Sequence, residues 1–300
     1  MRVLRLALRS WPARISLAVL VGIAVLTVAG GWLAPADPLH QDVAHLLQGP
    51  SPRHWLGTDY LGRDVLSRLL AGTRITVLTA LESILVAVAF GAVPGLLSVF
   101  LGRWVDAVAN RIADAMMTLP VLVFAIATIA VLGNRLVPVM LAIGFLVAPH
   151  FFRLTRAATL RHSREQYVEA AELFGASKPR IVVTHVVGKV LPTVYVATAT
   201  YTAAALLAVS SLNFLGIGVI PPAPTWGGVL ASDLTYLSQA PWAPVGPALL
   251  IALAVGSLNV LADAIRDAGQ LPGGAPATRR EAPAPAPIEE VPDVVADRAA

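Results

Sequence analysis

Long apolar runs separated by short polar segments organise this chain. Roughly 20 apolar residues are needed to cross a hydrocarbon layer, and on that scale the sequence predicts spans over 15–33, 75–100, 115–132, 136–152, 191–215 and 247–261, the last of them short. The expected fold class is therefore an all-α membrane protein with six transmembrane helices. The run 15–33 follows Arg2, Arg5, Arg9 and Arg14, the charged start of a secretory signal, but it is long for a signal core and Gly30-Gly31-Trp32 is an indifferent cleavage site. An uncleaved first span is expected.

Orientation follows from lysine and arginine in the connecting segments. With the N-terminus (1–14) in the cytoplasm, that side collects Arg103, Arg111, Arg153, Arg156, Arg161, Arg164, Lys178, Arg180, Lys189 and Arg266, besides the arginines of both termini. The other side holds only Arg53, Arg63, Arg68, Arg74 and Arg135. Both termini and the segment 153–190 are thus expected in the cytoplasm, with 34–74 and 216–246 external. The tail 269–300, with its Ala-Pro repeats and few large apolar residues, is expected to be disordered.

Composition agrees with a lipid-embedded chain: 56% of residues are hydrophobic, 13% are charged, and the mean hydropathy is +0.72. A formal charge of +4 and a pI near 9.8 arise from basic residues in particular connecting segments, which points to membrane topology rather than nucleic acid. The absence of cysteine excludes disulfides, thiolate metal sites and a cysteine nucleophile.

The polar segments carry the candidate chemistry. In 34–74 the run from Leu56 to Arg68 is rich in turn-forming glycines and in Asp and Ser that cap helices, so an ordered external cap is predicted. In 216–246, Pro221, Pro222, Pro224, Trp226, Gly227 and Trp242 suit a loop folded against the membrane surface or another subunit, or a plain aromatic anchor. In 153–190, Ser163 and Gln166 fit a capping box and Gly175 a helix stop. Tyr167, Ala170, Ala171 and Phe174 then fall on one apolar stripe, beside an acidic stripe of Glu165, Glu169 and Glu172. Like charges four apart cost an isolated helix roughly 0.2–0.5 kcal/mol per pair. Such a helix gains from a basic partner; a solvated helix lying on its own membrane domain fits the same spacing.

Glu169-Ala170-Ala171, three residues, then Gly175 resembles the EAA motif of permease subunits in ATP-binding-cassette (ABC) importers. The surrounding sequence is similar to the dipeptide, oligopeptide and nickel group. The resemblance extends to Gly57-Thr58-Asp59, to Gly62-Arg63-Asp64 and its continuation through Arg68, and to Gly72 and Arg74. Further on it includes 213–218, Pro221-Pro222, Trp226-Gly227, and Asn259, Asp263, Arg266 and Asp267. The second half of the EAA motif is divergent: His185-Val186-Val187-Gly188 replaces Ile-x-Leu-Pro, and a Leu-Pro pair comes later, at Leu191-Pro192.

What the resemblance implies is a type I, MetI-like permease core over 75–268. It would pair with a homologous second permease, two ABC ATPase subunits that use ATP and Mg, and an extracytoplasmic solute-binding protein, in a prokaryotic cytoplasmic membrane. Glu169, Ala170, Ala171, Phe174 and Gly175 would form the coupling helix. The cargo would be short peptides, or nickel and related solutes.

Other residues have two readings each. Glu82, a carboxylate inside the predicted span 75–100, is a candidate pore-lining residue or a side chain snorkelling to the outer interface. His150, beside Pro149, fits a helix end better than a proton relay. Gly91, Pro94, Gly95, Pro120 and Pro138 suit kinks around a cavity and ordinary helix packing equally. No phosphate-binding loop, nucleophile elbow or His-Glu-x-x-His motif occurs, so no enzymatic site is predicted, and no cofactor or metal is expected on this chain. The rival reading is a secondary transporter or channel driven by an ion gradient, which calls for charges near several span centres. Glu82 is nearly alone there.

Overall fold

The apolar runs fold as helices, and among the described residues there is no β-strand. The computed structural model of the chain describes residues 10–219 and 221–270. Helix α1 (Trp11–Leu33) begins with Pro12 in its first turn, where a missing N–H breaks no helical bond. Helix α2 (Val65–Ala87) continues through a π turn (Val88–Ala92) into α3 (Val93–Leu101), a rod of 37 residues. The π turn ends two residues before Pro94, whose ring nitrogen cannot donate to the preceding turn, and the widened turn accommodates that lost bond.

Helix α4 (Arg103–Met117) and helix α5 (Val121–Leu132) replace the single span predicted over 115–132. Pro120 is the reason. It occupies the N-cap of α5 with extended backbone and biases Leu119 away from helical geometry, so the chain breaks at Thr118–Pro120. Helix α6 (Leu136–Ser163) is followed by α7 (Gln166–Leu173) and by α8 (Lys178–Ile181), which passes through a second π turn (Val182–Val186) into α9 (Val187–Phe214). Helices α10 (Trp226–Thr235) and α11 (Val245–Gln270) complete the fold.

Five of these segments are long and apolar enough to cross a membrane: Trp11–Leu33, Val65–Leu101, Leu136–Ser163, Lys178–Phe214 and Val245–Ala268. The remaining predicted passage is the shorter α5. Several bounds move outward. The second span starts at Val65 rather than 75, because Asp64 caps it by accepting from the Ser67 backbone N–H. The span predicted over 136–152 runs on to Ser163, and the last extends to Gln270. Apart from Gly269 and Gln270, which close α11, the predicted tail lies outside the described residues, as do residues 1–9 of the predicted N-terminal segment.

Helix α9 packs along α11, α2 along α6 and α1, and α1 against α11. In lipid no hydrophobic force favours one apolar neighbour over another, so close backbone approach matters more than in water. Small residues provide it. A Cβ on Gly144 of α6 would lie 2.2 Å from the Ser83 carbonyl oxygen of α2, and one on Gly91 would lie 2.1 Å from the Ala148 carbonyl oxygen. Gly91 and Gly95 are therefore packing contacts onto α6. Around them the main core gathers Val65, Leu69, Ile84, Met140, Phe151 and Val209, and a smaller core under α7 gathers Val168, Ile181, Val186 and Val190.

Candidate functional site

Three polar regions stand out against this apolar bundle, two of them at its ends. At the end predicted to be external, the run from Gly57 to Arg68 folds onto itself. Gly57 has φ +76 and Gly62 φ +73, and a side chain on either would collide with the backbone of Gln48 or Asp42. Thr58 donates its hydroxyl to the His45 carbonyl (2.6 Å), accepts from the Gln48 N–H (2.9 Å), and forms a lone antiparallel bridge with Asp64.

Asp59, buried, accepts from the N–H groups of Leu61 and Arg63 and from Arg63 Nε (2.7 Å), while Arg68 Nε lies 3.5 Å from the same carboxylate. Asp64 receives the Ser67 hydroxyl and N–H and lies 2.9 Å from His54 Nδ1. Gly57, Thr58, Asp59, Gly62, Arg63 and Asp64 thus build the cap as its own hydrogen-bonded core. Removing one member of such a buried ion pair typically costs about 3–5 kcal/mol, since the other is left uncompensated.

The segment after α9 turns back into the bundle. Pro221-Pro222 is a cis peptide, and Thr225 caps α10 by accepting from the Gly228 N–H. Trp226 is 0% exposed, its Nε1 donating to Thr73 Oγ1 and its backbone N–H to Thr76 Oγ1. A Cβ on Gly227 would lie 2.0 Å from the Ser210 carbonyl oxygen. The expected interfacial role of Trp226 is corrected: the ring is an internal wedge between α2 and α9. Asp233, at the far end of α10, is also buried. Burial first, and then the nearby Asp59 charge, push its carboxyl up to about 7, against the opposing pull of Arg68.

At the opposite end, α7 carries the predicted coupling residues. Ser163 belongs to the end of α6, its hydroxyl bonding the Leu160 carbonyl, and the residue before α7 is Glu165 without a side-chain cap. The capping box therefore does not form. The stop does form: Gly175, at φ +80, donates to the Glu172 carbonyl and Ala176 donates to the Ala171 carbonyl, the paired bonds of a Schellman motif.

The apolar stripe divides. Tyr167, Val168 and Ala171 pack on the small core, whereas Glu169, Ala170, Glu172, Leu173 and Phe174 face outward. Leu173 is 88% and Phe174 92% exposed, which makes them a bare apolar tip. Sequence periodicity missed Val168 and Leu173 because only eight residues are helical, too few for a stripe to be read reliably.

Helix α4 is clamped to the polar end of α6 by two ion pairs, Arg153–Asp114 and Arg156–Asp106. The Arg156 bond holds the Asp106 carboxyl below its ordinary value. These acids were overlooked in the sequence, although Asp106, Asn110 and Asp114 recur every four residues along one face. Beside the clamp, a cavity of about 1060 Å³ opens between α6, α9 and α11. Its mouth carries Arg161, His185, Lys189 and Arg266, and Thr200 and Tyr201 lie deeper along α9.

Glu82 lies near the middle of the 37-residue rod, since that rod begins ten positions before the predicted span. Its Oε2 is enclosed and has no hydrogen-bond partner among the described residues. Glu82 therefore lies well inside the helix rather than near its outer end. His150 lies inside α6, not at its end, with its ring 5.6 Å from Tyr201.

The model of a family described as "binding-protein-dependent transport system inner membrane component" matches residues 83–268. The chain is 38% identical over 243 residues to the di/tripeptide transport system permease protein DppC of Pseudomonas aeruginosa, covering 79% of this chain and 80% of that one. It is 35% identical over 238 residues to the glutathione transport system permease protein GsiD of Pectobacterium atrosepticum, with 79% of each covered. It is 32% identical over 257 residues to the nickel transport system permease protein NikC of Escherichia coli, covering 86% of this chain and 93% of that one.

Proposed function

Since the chain belongs to the binding-protein-dependent transport family, as an ABC importer permease of the dipeptide, oligopeptide and nickel group, we propose that it forms half of a translocation pathway powered by separate ATPase subunits. A homologous permease supplies the other half, and an extracytoplasmic binding protein delivers the solute to the capped end. The chain is a multi-pass inner-membrane protein; in this reading both termini face the cytoplasm and the permease core extends over 75–268.

The observation that carries the reading is the tip of α7. Leu173 and Phe174 project almost fully into solvent from a helix whose other face is seated on the bundle and whose end is locked by Gly175. A soluble surface gains nothing by exposing two such side chains together; a partner groove that covers them does. Glu169 and Glu172 beside them suit a basic rim on the ATPase. Coupling then requires the nucleotide-bound ATPase to favour a different arrangement of α7, because equal binding to both states shifts nothing.

The solute we favour is a short peptide. Two of the three relatives named above carry peptides by name, and the inner cavity combines hydroxyls along its wall with cations at its mouth, a lining suited to amide and carboxylate groups together. Proteoliposomes containing this chain, its partner permease, the ATPases and the binding protein should accumulate labelled dipeptide only with ATP and Mg. Equal accumulation without ATP would overturn the importer reading, and ATP-driven uptake of nickel but not dipeptide would overturn the choice of solute.

A further inference from the structure

A second cavity, of about 200 Å³, lies between the cap, the end of α9 and α10. We propose that it is a binding site for a small carboxylate, with Arg63 and Arg68 supplying the charge and Asn213 the orientation. This volume equals that of several waters at ~30 Å³ each, enough for a carboxylate on a short aliphatic stem.

Asn213 carries the most weight. It is 5% exposed and lines the cavity, yet neither its Nδ2 nor its Oδ1 has a hydrogen-bond partner among the described residues. Buried amides are rarely left without hydrogen-bond partners outside binding or functional sites. Arg68 is loosely held, with Nε 3.5 Å from Asp59 but making no hydrogen bond and Nη1 making a long bond to the Pro38 carbonyl. Arg63 uses its Nε on Asp59.

The lining itself is cationic. Two guanidinium groups line the cavity and, among the described residues, no carboxylate does, while behind the wall Asp59 is shared between them, 2.7 Å from Arg63 Nε and 3.5 Å from Arg68 Nε. Of the other nearby acids, Asp64 is engaged by Ser67 and His54, and Asp233 keeps its proton below about pH 7. Arg68 Nε and Asn213 Nδ2 are left as donors for an incoming anion, and a carboxylate accepts from guanidinium and amide N–H groups together. Phe214, Val219 and Pro221 give the rest of the wall an apolar surface that suits a carbon stem better than a bare halide.

The test measures thermal unfolding of the full chain with its partner permease in lipid nanodiscs, without ATP, so a complex that transports no peptide is still informative. The probes are N-acetylglycine, its neutral amide and sodium chloride at matched ionic strength. N-acetylglycine should raise Tm with concentration, as a ligand of the native state does, and the amide and chloride should not.

Asn213→Leu removes an unpaired buried amide, so its ligand-free Tm should equal or exceed that of the parent. Its affinity for N-acetylglycine should fall at least ~10-fold, the loss expected for one bond to a charged group. Should that variant fail to fold, Asn213→Asp, nearly identical in shape, should abolish the response by charge repulsion. No Tm response to the acid, an equal response to amide or chloride, or an unchanged response in the variant that folds would each overturn the proposal.

Discussion

Trp226 and Thr73, 153 positions apart in sequence, are joined by a 3.2 Å hydrogen bond from the indole Nε1 to the threonine Oγ1. The bond fixes α10 to α2 from inside the bundle. Trp226→Phe removes that bond but most of the ring remains, and should cost about 1 kcal/mol; Trp226→Ala empties the wedge and should cost about 3–5 kcal/mol. Thermal unfolding in nanodiscs separates the two, and indistinguishable Tm values for both variants would refute the wedge role.

Leu173→Ser combined with Phe174→Ser should leave the Tm of the permease pair unchanged, because both side chains already face solvent. Co-purification of the ATPase subunits and substrate-stimulated ATP hydrolysis should both fall severalfold. Full coupling in the double variant would remove the tip of α7 from the mechanism.

Gly175→Val forces a β-branched residue to φ +80, a conformation that costs an L-residue roughly 1–2 kcal/mol. Nothing lies within 4 Å of the position where its Cβ would sit, so the penalty is conformational rather than steric. Membrane insertion should be normal while coupling falls, read as uptake per ATP hydrolysed. A variant with parental uptake would show that the lock after α7 is dispensable.

Asp233 gives the cap a pH dependence of known sign. Its folded pKa of about 7 lies above the ordinary 3.8, so the folded state holds the proton more tightly. The associated stability is fully present below about pH 4 and is lost as pH rises toward 7. Asp233→Asn should therefore match the parent near pH 4 and be more stable at pH 8, by an amount on the order of 1.4 kcal/mol per pKa unit of the shift. Parallel Tm profiles for parent and variant between pH 4 and 8 would rule this out.

Arg156→Ala should destabilise the polar end of α6 by about 1 kcal/mol, a modest figure because the pair with Asp106 is partly solvated. The exchange Asp106→Arg with Arg156→Asp should recover part of that loss. A double variant no better than the single one would mean that the clamp acts through packing alone.

Length and apolarity made the long helices legible, and the turn chemistry of Gly57 to Asp64 marked an ordered cap. What the pattern did not reveal was where local geometry outweighs hydropathy. Pro120 splits a run that looks continuous, and Asp64 starts α2 well before its apolar stretch begins. Trp226 looked like an interfacial anchor because proline-bounded tryptophans often are; its burial depends on Gly227 and Gly72, whose missing side chains let α10 approach α9 and α2. At α7 the sequence placed the helix stop at Gly175, but which residues of that helix face outward depends on how it is seated over Ile181 and Val190.

The pairing of Arg63 and Arg68 with Asp59 also changes how the whole molecule looks electrically. Both arginines are enclosed, so of the five cations assigned by sequence to the capped end only Arg53, Arg74 and Arg135 meet solvent. At the other end Arg111, Arg161, Arg164, Lys178, Arg180 and Lys189 remain exposed. Folding thereby sharpens the molecule's polarity along the bundle axis, and an acidic protein approaching the cap meets far less positive potential than the sequence of that segment suggests.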